Sequence, residues 1–343
     1  MRIWFNKTFS TIGAVFNNLR LAAPVGDIRL VCTHTHSGAT AFLAADESYL
    51  EPTELSGLAY LEWCVEFCQQ QHIQLFWPGK EAALISRHHD RFNVVGTQVV
   101  SVADYDTLTL LHNKAEFYAA LPSHIAETMA FVAVNTAAQF DHAVAQLAPY
   151  HERLCVKPAE SVYGLGFRIL DTDRASITQL LKGVEYQIPL AELRAGMDKT
   201  PEFPTLLVME HLPGVEWSVD CAGKQGQLLA AVQRKKLPLA GHGQVIDNNP
   251  DIQAMVTRLT GHYRLNGLFN IQFKDGANGP RLLEINPRPS GGFGMACLAG
   301  ANLAQLALQG INGESPATPE INYGLRVSEV NTAVVLHTVL STT

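Results

Sequence analysis

The sequence predicts an α/β chain in two parts, an N-terminal Rossmann-like domain followed by a mixed α+β domain. Strand-like and helix-like segments alternate over the first hundred residues, which is typical of a parallel sheet with crossover helices. Beyond about Asp104 the alternation gives way to helices and to strands paired around Pro-Gly and Asn-Gly turns. The length of 343 residues suffices for two such domains.

Hydrophobic periodicity places the individual elements. Apolar residues recur near every 3.6 positions from Leu58 to Cys68, which indicates a helix, whereas short apolar runs between turn residues indicate strands. In the first part the predicted strands cover residues 1–6, 27–33, 73–77 and 92–102. One predicted helix follows the first strand and ends near residue 23, and a second covers residues 58–71. In the second part the predicted helices are 108–121, 140–147 and 254–263, and the predicted strands are 153–156, 206–210, 216–221, 270–274 and 281–286. The domain boundary is expected near residue 105, giving domains of residues 1–105 and 106–343.

The composition of the chain disfavours several classes of function. The 25 Lys and Arg against 32 Asp and Glu give a formal charge of −7, whereas a nucleic-acid-binding protein normally carries a basic excess. No apolar run is long enough to span a membrane, and polar residues interrupt any N-terminal signal-like stretch. The six cysteines lack zinc-type spacing, and Cys64 and Cys68 are expected to be buried free thiols. We therefore expect a cytoplasmic protein with no nucleic-acid or membrane partner.

The segment from Asn270 to Gly292 is the most informative in the chain. A turn centred near Asn278 would place Gln272 opposite Glu284 and Asn270 opposite Asn286, with all four side chains on one face of a hairpin. The other, buried face would carry Ile271, Phe273, Leu283 and Ile285. One carboxylate and neighbouring amide oxygens suit Mg²⁺, although a solvated hairpin face would look the same.

The residues after the hairpin favour an anion site. Arg288 lies between two prolines that stiffen its backbone, and the amides from Ser290 to Gly294 could hold an anion. A fixed guanidinium beside a metal-bound phosphate stabilises the charge of phosphoryl transfer.

The run EINPRPSGG, residues 284–292, resembles the signature of the ATP-grasp superfamily of carboxylate–amine and carboxylate–thiol ligases. Further landmarks of that superfamily follow in order over about residues 113–292. Gln272, in place of the commoner carboxylate, is similar to the carbamoyl-phosphate synthetase branch. The resemblance implies that Glu284 bridges two Mg²⁺ ions (or Mn²⁺), with Gln272 and Asn286 each binding one. It also implies a pre-ATP-grasp domain followed by two lobes, a lid over about 123–208 and a metal-binding lobe over about 209–343.

The resemblance also assigns the residues that contact ATP. Lys114 and Lys157 correspond to lysines that contact the phosphates, and the SVYGLG segment resembles the glycine loop that closes over them. In that superfamily the segment matching Glu210, His211 and Leu212 contacts the adenine, and a carboxylate matching Glu216 accepts hydrogen bonds from the ribose hydroxyls. The resulting nucleotide-binding set is Lys114, Lys157, Ser161, Gly164, Gly166, Glu210, His211, Leu212 and Glu216. Taken alone, a lysine here would be a surface residue and the Gly-x-Gly a plain turn, so their order in the chain carries the assignment.

Two arginines and a loop complete the predicted site. Arg234 begins a run of three cations that would ordinarily be a solvated surface, but relatives place a residue there near the terminal phosphate or the acceptor. The resemblance thus implies Arg288 and Arg234 as catalytic residues, and Ser290 and Gly292 as substrate contacts.

The implied activity is an ATP-dependent ligation through an acyl phosphate, with release of ADP and phosphate. The partners would be a small-molecule carboxylate and an amine (less readily a thiol), and a homodimer is common among relatives. A small-molecule kinase and a non-catalytic ATP-binding protein stay as alternatives. A dinucleotide oxidoreductase is disfavoured, because the segment after the first strand, NKTFSTIGA, lacks GxGxxG.

Overall fold

A computed structural model describes residues 1–7, 11–22, 27–161, 165–173, 177, 181, 186–237 and 243–336. The chain divides into two compact units. The first comprises residues 1–109, 215–273 and 285–343, and the second comprises residues 110–214 and 274–284. None of the described helices combines the length and apolar character needed to cross a membrane.

A five-stranded parallel sheet forms the N-terminal part of the first unit. Its strands are β1 (Arg2–Phe5), β2 (Arg29–His34), β3 (Glu47–Leu50), β4 (Leu75–Trp77) and β5 (Gln98–Val99). The order is β3-β2-β1-β4-β5, and all neighbouring strands are parallel. This is the doubly wound arrangement that the alternating pattern predicts, so the predicted Rossmann-like fold of this part of the chain is confirmed.

Helices cover both faces of this sheet, because its strands are apolar on both sides. They are α1 (Ile12–Ala22), α2 (Gly57–Gln70), α3 (Ala82–Arg87) and α4 (His89–Val94), with a 3-10 helix at Thr40–Ala44. Trp4 faces one core with Phe76 and the helix α2, whereas Ile3 and Phe5 face the opposite core with α1. Because side chains alternate in direction along β1, this strand contributes residues to two separate cores.

A six-stranded sheet is built mainly from the C-terminal part of the first unit, and residues 274–284 of its hairpin are counted with the second unit. Its strands are β11 (Glu216–Lys224), β12 (Gln227–Lys236), β13 (Gln244–Asp247), β14 (Gly267–Gly276), β15 (Gly279–Asn286) and β16 (Arg326–Val327), in the order β15-β14-β11-β12-β13-β16. The accompanying helices are α9 (Pro250–His262), α10 (Phe293–Cys297) and α11 (Leu303–Ile311). Apolar residues of α11 pack in the same core as Ala222 and Val232 of the sheet.

The second unit is built on a five-stranded sheet in the order β6-β10-β7-β8-β9. The strands are β6 (Phe131–Val134), β7 (Leu154–Pro158), β8 (Arg168–Asp171), β9 (Gln187–Pro189) and β10 (Leu206–Glu210). Its helices are α6 (Lys114–Ala120), α7 (Ala137–Leu147) and α8 (Leu190–Met197), and α5 (Tyr105–His112) precedes them. Val134, Phe140, Val156 and Val208 belong to its core. The sheet is antiparallel except for the parallel pair β8–β9, and with its helices it forms the α+β type of lobe that the resemblance implies.

Two predicted elements differ from the structure. Residues 92–94 belong to α4 rather than to a strand, and only Gln98–Val99 is extended, because Gly96 at φ +80° ends the helix first. The predicted helix over 108–121 is divided into α5 and α6, because the side chain of Asn113 caps α6 by accepting from the Ala115 and Glu116 amides.

The predicted hairpin is present and longer than expected, and its strands end at Gly276 and begin again at Gly279. Ile271, Phe273 and Ile285 are buried as predicted, but Leu282 is buried in place of Leu283. Burial therefore departs from strict alternation along β15. The predicted domain boundaries stay a prediction, because the compact units are discontinuous in sequence.

Candidate functional site

Two predicted lysines and the predicted metal-binding carboxylate lie close together in the second unit, around the hydroxyl of Tyr118. Lys157 donates from Nζ to the Tyr118 hydroxyl at 3.0 Å, and this hydroxyl donates to the backbone carbonyl of Leu283. The Nζ atom of Lys114 lies 3.5 Å from Oε2 of Glu284. We call Lys114, Tyr118, Lys157 and Glu284 the lysine cluster.

Local structure fixes both lysines. Lys114 is the first residue of α6 and only 7% exposed, and its Nζ donates to the carbonyl of Ser161 at 2.8 Å. Lys157 stands near the end of β7, opposite Leu207 of β10. The predicted phosphate lysines are thus held by a helix start and a strand end rather than by flexible loops.

Burial shifts the pKa of two residues of the lysine cluster. It lowers the pKa of Lys157, while the negative charge of Glu284 acts in the opposite direction. Burial also raises the pKa of Tyr118 well above its ordinary value. The phenol therefore stays protonated at neutral pH, so it can accept from Lys157 and donate to the Leu283 carbonyl at once.

The predicted glycine loop is described in part. Gly166 has φ +82°, and a Cβ there would lie 2.7 Å from Cδ of Pro158, so both backbone conformation and space require glycine. Gly164 lies outside the described residues.

The predicted adenine segment follows directly from β10. The amide of Glu210 donates to the Ala130 carbonyl at 3.0 Å, and the amide of His211 donates to the Arg153 carbonyl at 3.0 Å. Leu212 is buried. Burial lowers the pKa of His211. These two amides are used within the protein, so a backbone contact with adenine would fall to other groups of the segment.

The predicted ribose carboxylate, Glu216, begins β11 in the first unit and is half-buried. Its carboxylate forms an ion pair with the Nζ of Lys236, at the end of the neighbouring strand β12. A ribose hydroxyl that bound to Glu216 would therefore share its carboxylate with Lys236.

The predicted metal ligands stand on the two strands of the hairpin. Gln272 is on β14 and Glu284 and Asn286 are on β15, which neighbours β14 in the sheet. Glu284 and Asn286 are two residues apart and therefore point to the same side of their strand. The side chains of all three residues are half-buried and offer oxygen donors, the ligand type that fits Mg²⁺.

The predicted anion loop follows β15. The amide of Arg288 donates to the Asn286 carbonyl at 2.7 Å, and its guanidinium reaches the Pro289 carbonyl at 3.1 Å. Ser290 is buried at 4% exposure, and its hydroxyl accepts from the amide of Gly292 at 3.2 Å. This loop is therefore folded back on itself.

Arg234 lies in a buried polar cluster of the first unit, formed by Ser218, Asp220, Arg234, Asn270 and Ser290. Its guanidinium is 2% exposed and forms an ion pair with Asp220 at 2.8 Å. Sequence reasoning found Arg234 and Ser290 but not Ser218 or Asp220. The available signal was a serine and a carboxylate alternating within an otherwise apolar strand.

The family comparison agrees with the geometry. Residues 202–333 match a family model described as ATP-grasp in the biosynthetic pathway with Ter operon. No curated protein matches the chain.

Solved structures show the same fold at low identity. N5-carboxyaminoimidazole synthetase from Staphylococcus aureus, complexed with ADP, is 13% identical with a TM-score of 0.67, over 94% of this chain and 80% of that one. L-amino acid ligase from Bacillus licheniformis is 16% identical with a TM-score of 0.59, over 90% and 73% respectively. Biotin carboxylase from Campylobacter jejuni is 11% identical with a TM-score of 0.62, over 93% and 73%. The resemblance to the ATP-grasp superfamily is thereby confirmed, as is the predicted fold.

Proposed function

We propose, from the premise that this chain has the ATP-grasp fold, that it is an ATP-dependent ligase joining a small-molecule carboxylate to an amine. A thiol is the less favoured acceptor. The solved structures of similar fold are named as synthetases, ligases and carboxylases, and the matched family is described as biosynthetic, which supports an enzyme of this class.

The chemistry requires activation of the carboxylate. One of its oxygens attacks the γ-phosphorus of ATP, and the bond from that phosphorus to the ADP oxygen breaks. The amine nitrogen then attacks the acyl carbon, phosphate leaves with the former carboxylate oxygen, and the nitrogen loses a proton. The protein's contribution is to position the reactants and to neutralise charge.

The lysine cluster is the observation that carries the proposal. Lys114 lies beside Glu284, Lys157 donates to the Tyr118 hydroxyl of the same cluster, and each lysine is held by secondary structure. Compact ammonium charges beside a half-buried carboxylate suit the phosphates of a nucleotide together with a divalent cation. The proposed phosphate contacts are therefore Lys114 and Lys157, with the loop of Ser161, Gly164 and Gly166.

We assign Mg²⁺ to Gln272, Glu284 and Asn286, with Mn²⁺ as a possible substitute. One carboxylate and two amide oxygens fit the ion's preference for hard donors and leave room for phosphate oxygens and water. When bound, Mg²⁺ would neutralise charge on the phosphates. A two-ion site with Glu284 as the bridge is part of the same proposal.

The remaining assignments follow the resemblance. Glu210, His211 and Leu212 would contact the adenine, and Glu216 would accept hydrogen bonds from the ribose hydroxyls. Arg288 and the loop from Ser290 to Gly292 would hold the transferring phosphoryl group and the substrate carboxylate. These roles, a homodimeric state and a cytoplasmic location are proposals.

An ADP-release assay with pairs of carboxylates and amino acids tests the activity, and mass spectrometry identifies the product. We expect turnover that needs both substrates and Mg²⁺. Glu284→Gln should lower it by about a hundredfold or more, because the carboxylate proposed to hold the metal is lost. Glu202→Gln, at an exposed carboxylate, is the matched control.

Other outcomes separate the alternatives. A stable phosphorylated product without incorporated amine would identify a small-molecule kinase. Tight ATP binding without turnover across the panel would identify a nucleotide-binding protein. Normal turnover by Glu284→Gln would show that the assignment of the metal ligands is wrong.

A further inference from the structure

We infer that Asp220 and Arg234 form a buried brace that holds the Ser290–Gly292 loop in its anion-binding conformation, so that Arg234 is a positioning residue. The loop would then touch the transferring phosphoryl group through groups other than the Ser290 and Gly292 amides, which bond within the protein, and the guanidinium would not touch it. This inference deepens the proposed function and rests on it for the identity of the anion.

The strands of the first unit bring the brace together. Ser218 and Asp220 alternate on β11, so both point to one face of the sheet, and Arg234 pairs directly with Ser218 across the β11–β12 ladder. Asn270 reaches the same place from β14, and its Nδ2 donates to Oδ1 of Asp220 at 3.2 Å. Asp220 and Asn270 are fully buried.

The guanidinium is occupied by protein groups. Its Nε and Nη2 donate to Oδ2 of Asp220 at 2.9 and 2.8 Å, and Nη1 donates to the side chain of Gln244. Nη2 also donates to the hydroxyls of Ser218 at 2.9 Å and Ser290 at 2.7 Å. A phosphate would have to displace these acceptors from a side chain that is almost entirely buried.

Ser290 is held from two sides. Its amide donates to Oδ1 of Asp220 at 3.3 Å, while its hydroxyl accepts from Arg234 and from the amide of Gly292. Both members of the ion pair therefore bond the same loop residue. Because a buried ion pair is costly unless its remaining bonding capacity is satisfied, the loop and the pair stabilise one another.

Gly292 gives independent evidence for the brace. A Cβ at this position would lie 2.4 Å from Nη1 and 2.7 Å from Cζ of Arg234. Its φ of −97° is open to any residue, so the need for glycine comes from the side chains packed against it, which are the bonded guanidinium of Arg234 and the Cε atom of Met295 at 2.7 Å. The adjacent Gly291 meets nothing within 4 Å of such a Cβ, which makes it a matched control.

The first experiment uses no ligand. Hydrogen exchange is followed in peptides covering the loop of the full chain. Gly292→Ala and Asp220→Asn should each speed exchange at the loop amides by about tenfold, because a charge-assisted bond or its geometry is lost. Gly291→Ala should exchange as the wild type does. Unchanged loop exchange in Gly292→Ala would overturn the brace, and this variant alone decides the point if Asp220→Asn does not fold.

The second experiment measures inorganic phosphate binding to the MgADP complex by calorimetry. Asp220→Asn, Arg234→Lys and Gly292→Ala should each weaken phosphate binding by about tenfold, with MgADP affinity within about threefold of wild type. Direct contact by Arg234 predicts another pattern, in which Arg234→Lys weakens phosphate binding but Asp220→Asn leaves it unchanged or tighter. That pattern, or wild type that binds MgADP but not phosphate, would overturn the inference. Wild type that binds no MgADP would contradict the proposed function, and loop exchange would still test the brace.

Discussion

Tyr118 is the residue of the lysine cluster that the sequence did not indicate. Within HNKAEFYAAL it is one aromatic residue of a short helix, and nothing in that pattern separates it from a core residue. In the structure its hydroxyl connects Lys157 to the backbone of Leu283, one residue before Glu284. It therefore positions a proposed phosphate contact and the strand that carries a proposed metal ligand.

Tyr118→Phe should weaken MgATP binding by about tenfold, because Lys157 loses its acceptor and the Leu283 carbonyl loses its donor. The free energy of unfolding should fall by only about 1 kcal/mol, since the ring stays in place. Calorimetric titration with MgATP and chemical denaturation measure the two effects. Tyr150→Phe, at a tyrosine that is 82% exposed, is the control. An unchanged MgATP affinity in Tyr118→Phe would show that the hydroxyl does not position the site.

At the scale of elements, Glu47 ties three strands of the parallel sheet together at one end. Arg2 of β1 donates to both of its carboxylate oxygens at 2.8 and 2.9 Å, and Arg29 of β2 adds a bond at 3.1 Å. Tyr49, on the same strand β3, donates to it at 2.9 Å. The bonds from Arg2 are the main cause that lowers the pKa of Glu47 to about 2.

Glu47→Gln should lower the free energy of unfolding by about 1 kcal/mol at pH 7, because a bidentate ion pair is lost. The folded-state pKa of Glu47 lies below its ordinary value of 4.5, so the carboxylate stabilises the fold above that pH. The contribution should vanish as the pH falls from 4.5 toward 2. Denaturation of both proteins across this range measures it, with Glu66→Gln, at an exposed carboxylate, as the control. A difference that persists at pH 2 would contradict the assignment.

Elements with a strong period or a strong turn signal were predictable. The hairpin and the loop after it stand out because Asp-Gly, Asn-Gly and paired prolines punctuate an alternating run. The strand prediction over residues 92–102 was wrong because valines at five of these positions favour a strand, whereas helix α4 is ended by a single glycine. Asp220 was missed because its partner Arg234 is 14 residues away, and only strand pairing shows that they meet.

At the scale of the whole molecule, the cysteines form a uniform class. All six are free, five are buried and Cys297 is half-buried, so the buried free thiols predicted for Cys64 and Cys68 are confirmed. Burial raises the pKa of Cys32, Cys68, Cys155 and Cys297 to about 12. These groups are therefore thiols, not thiolates, at neutral pH.

The native protein should react slowly with a chromogenic disulfide reagent at pH 8, with about one thiol or fewer modified within minutes, and Cys297 should be the first. All six should react after denaturation. Cys297→Ser should remove most of the early reaction in the native state. Rapid reaction of several thiols before unfolding would show that the cores open readily.

The enclosed sulfur atoms leave the molecule suited to attachment chemistry. Replacing Cys297 alone would give a background in which one new cysteine, placed at the exposed position of Tyr150, carries a fluorophore or a spin label without competition. A reporter fixed at that single point could follow the arrival of nucleotide in real time, on a protein whose own cysteines stay unlabelled.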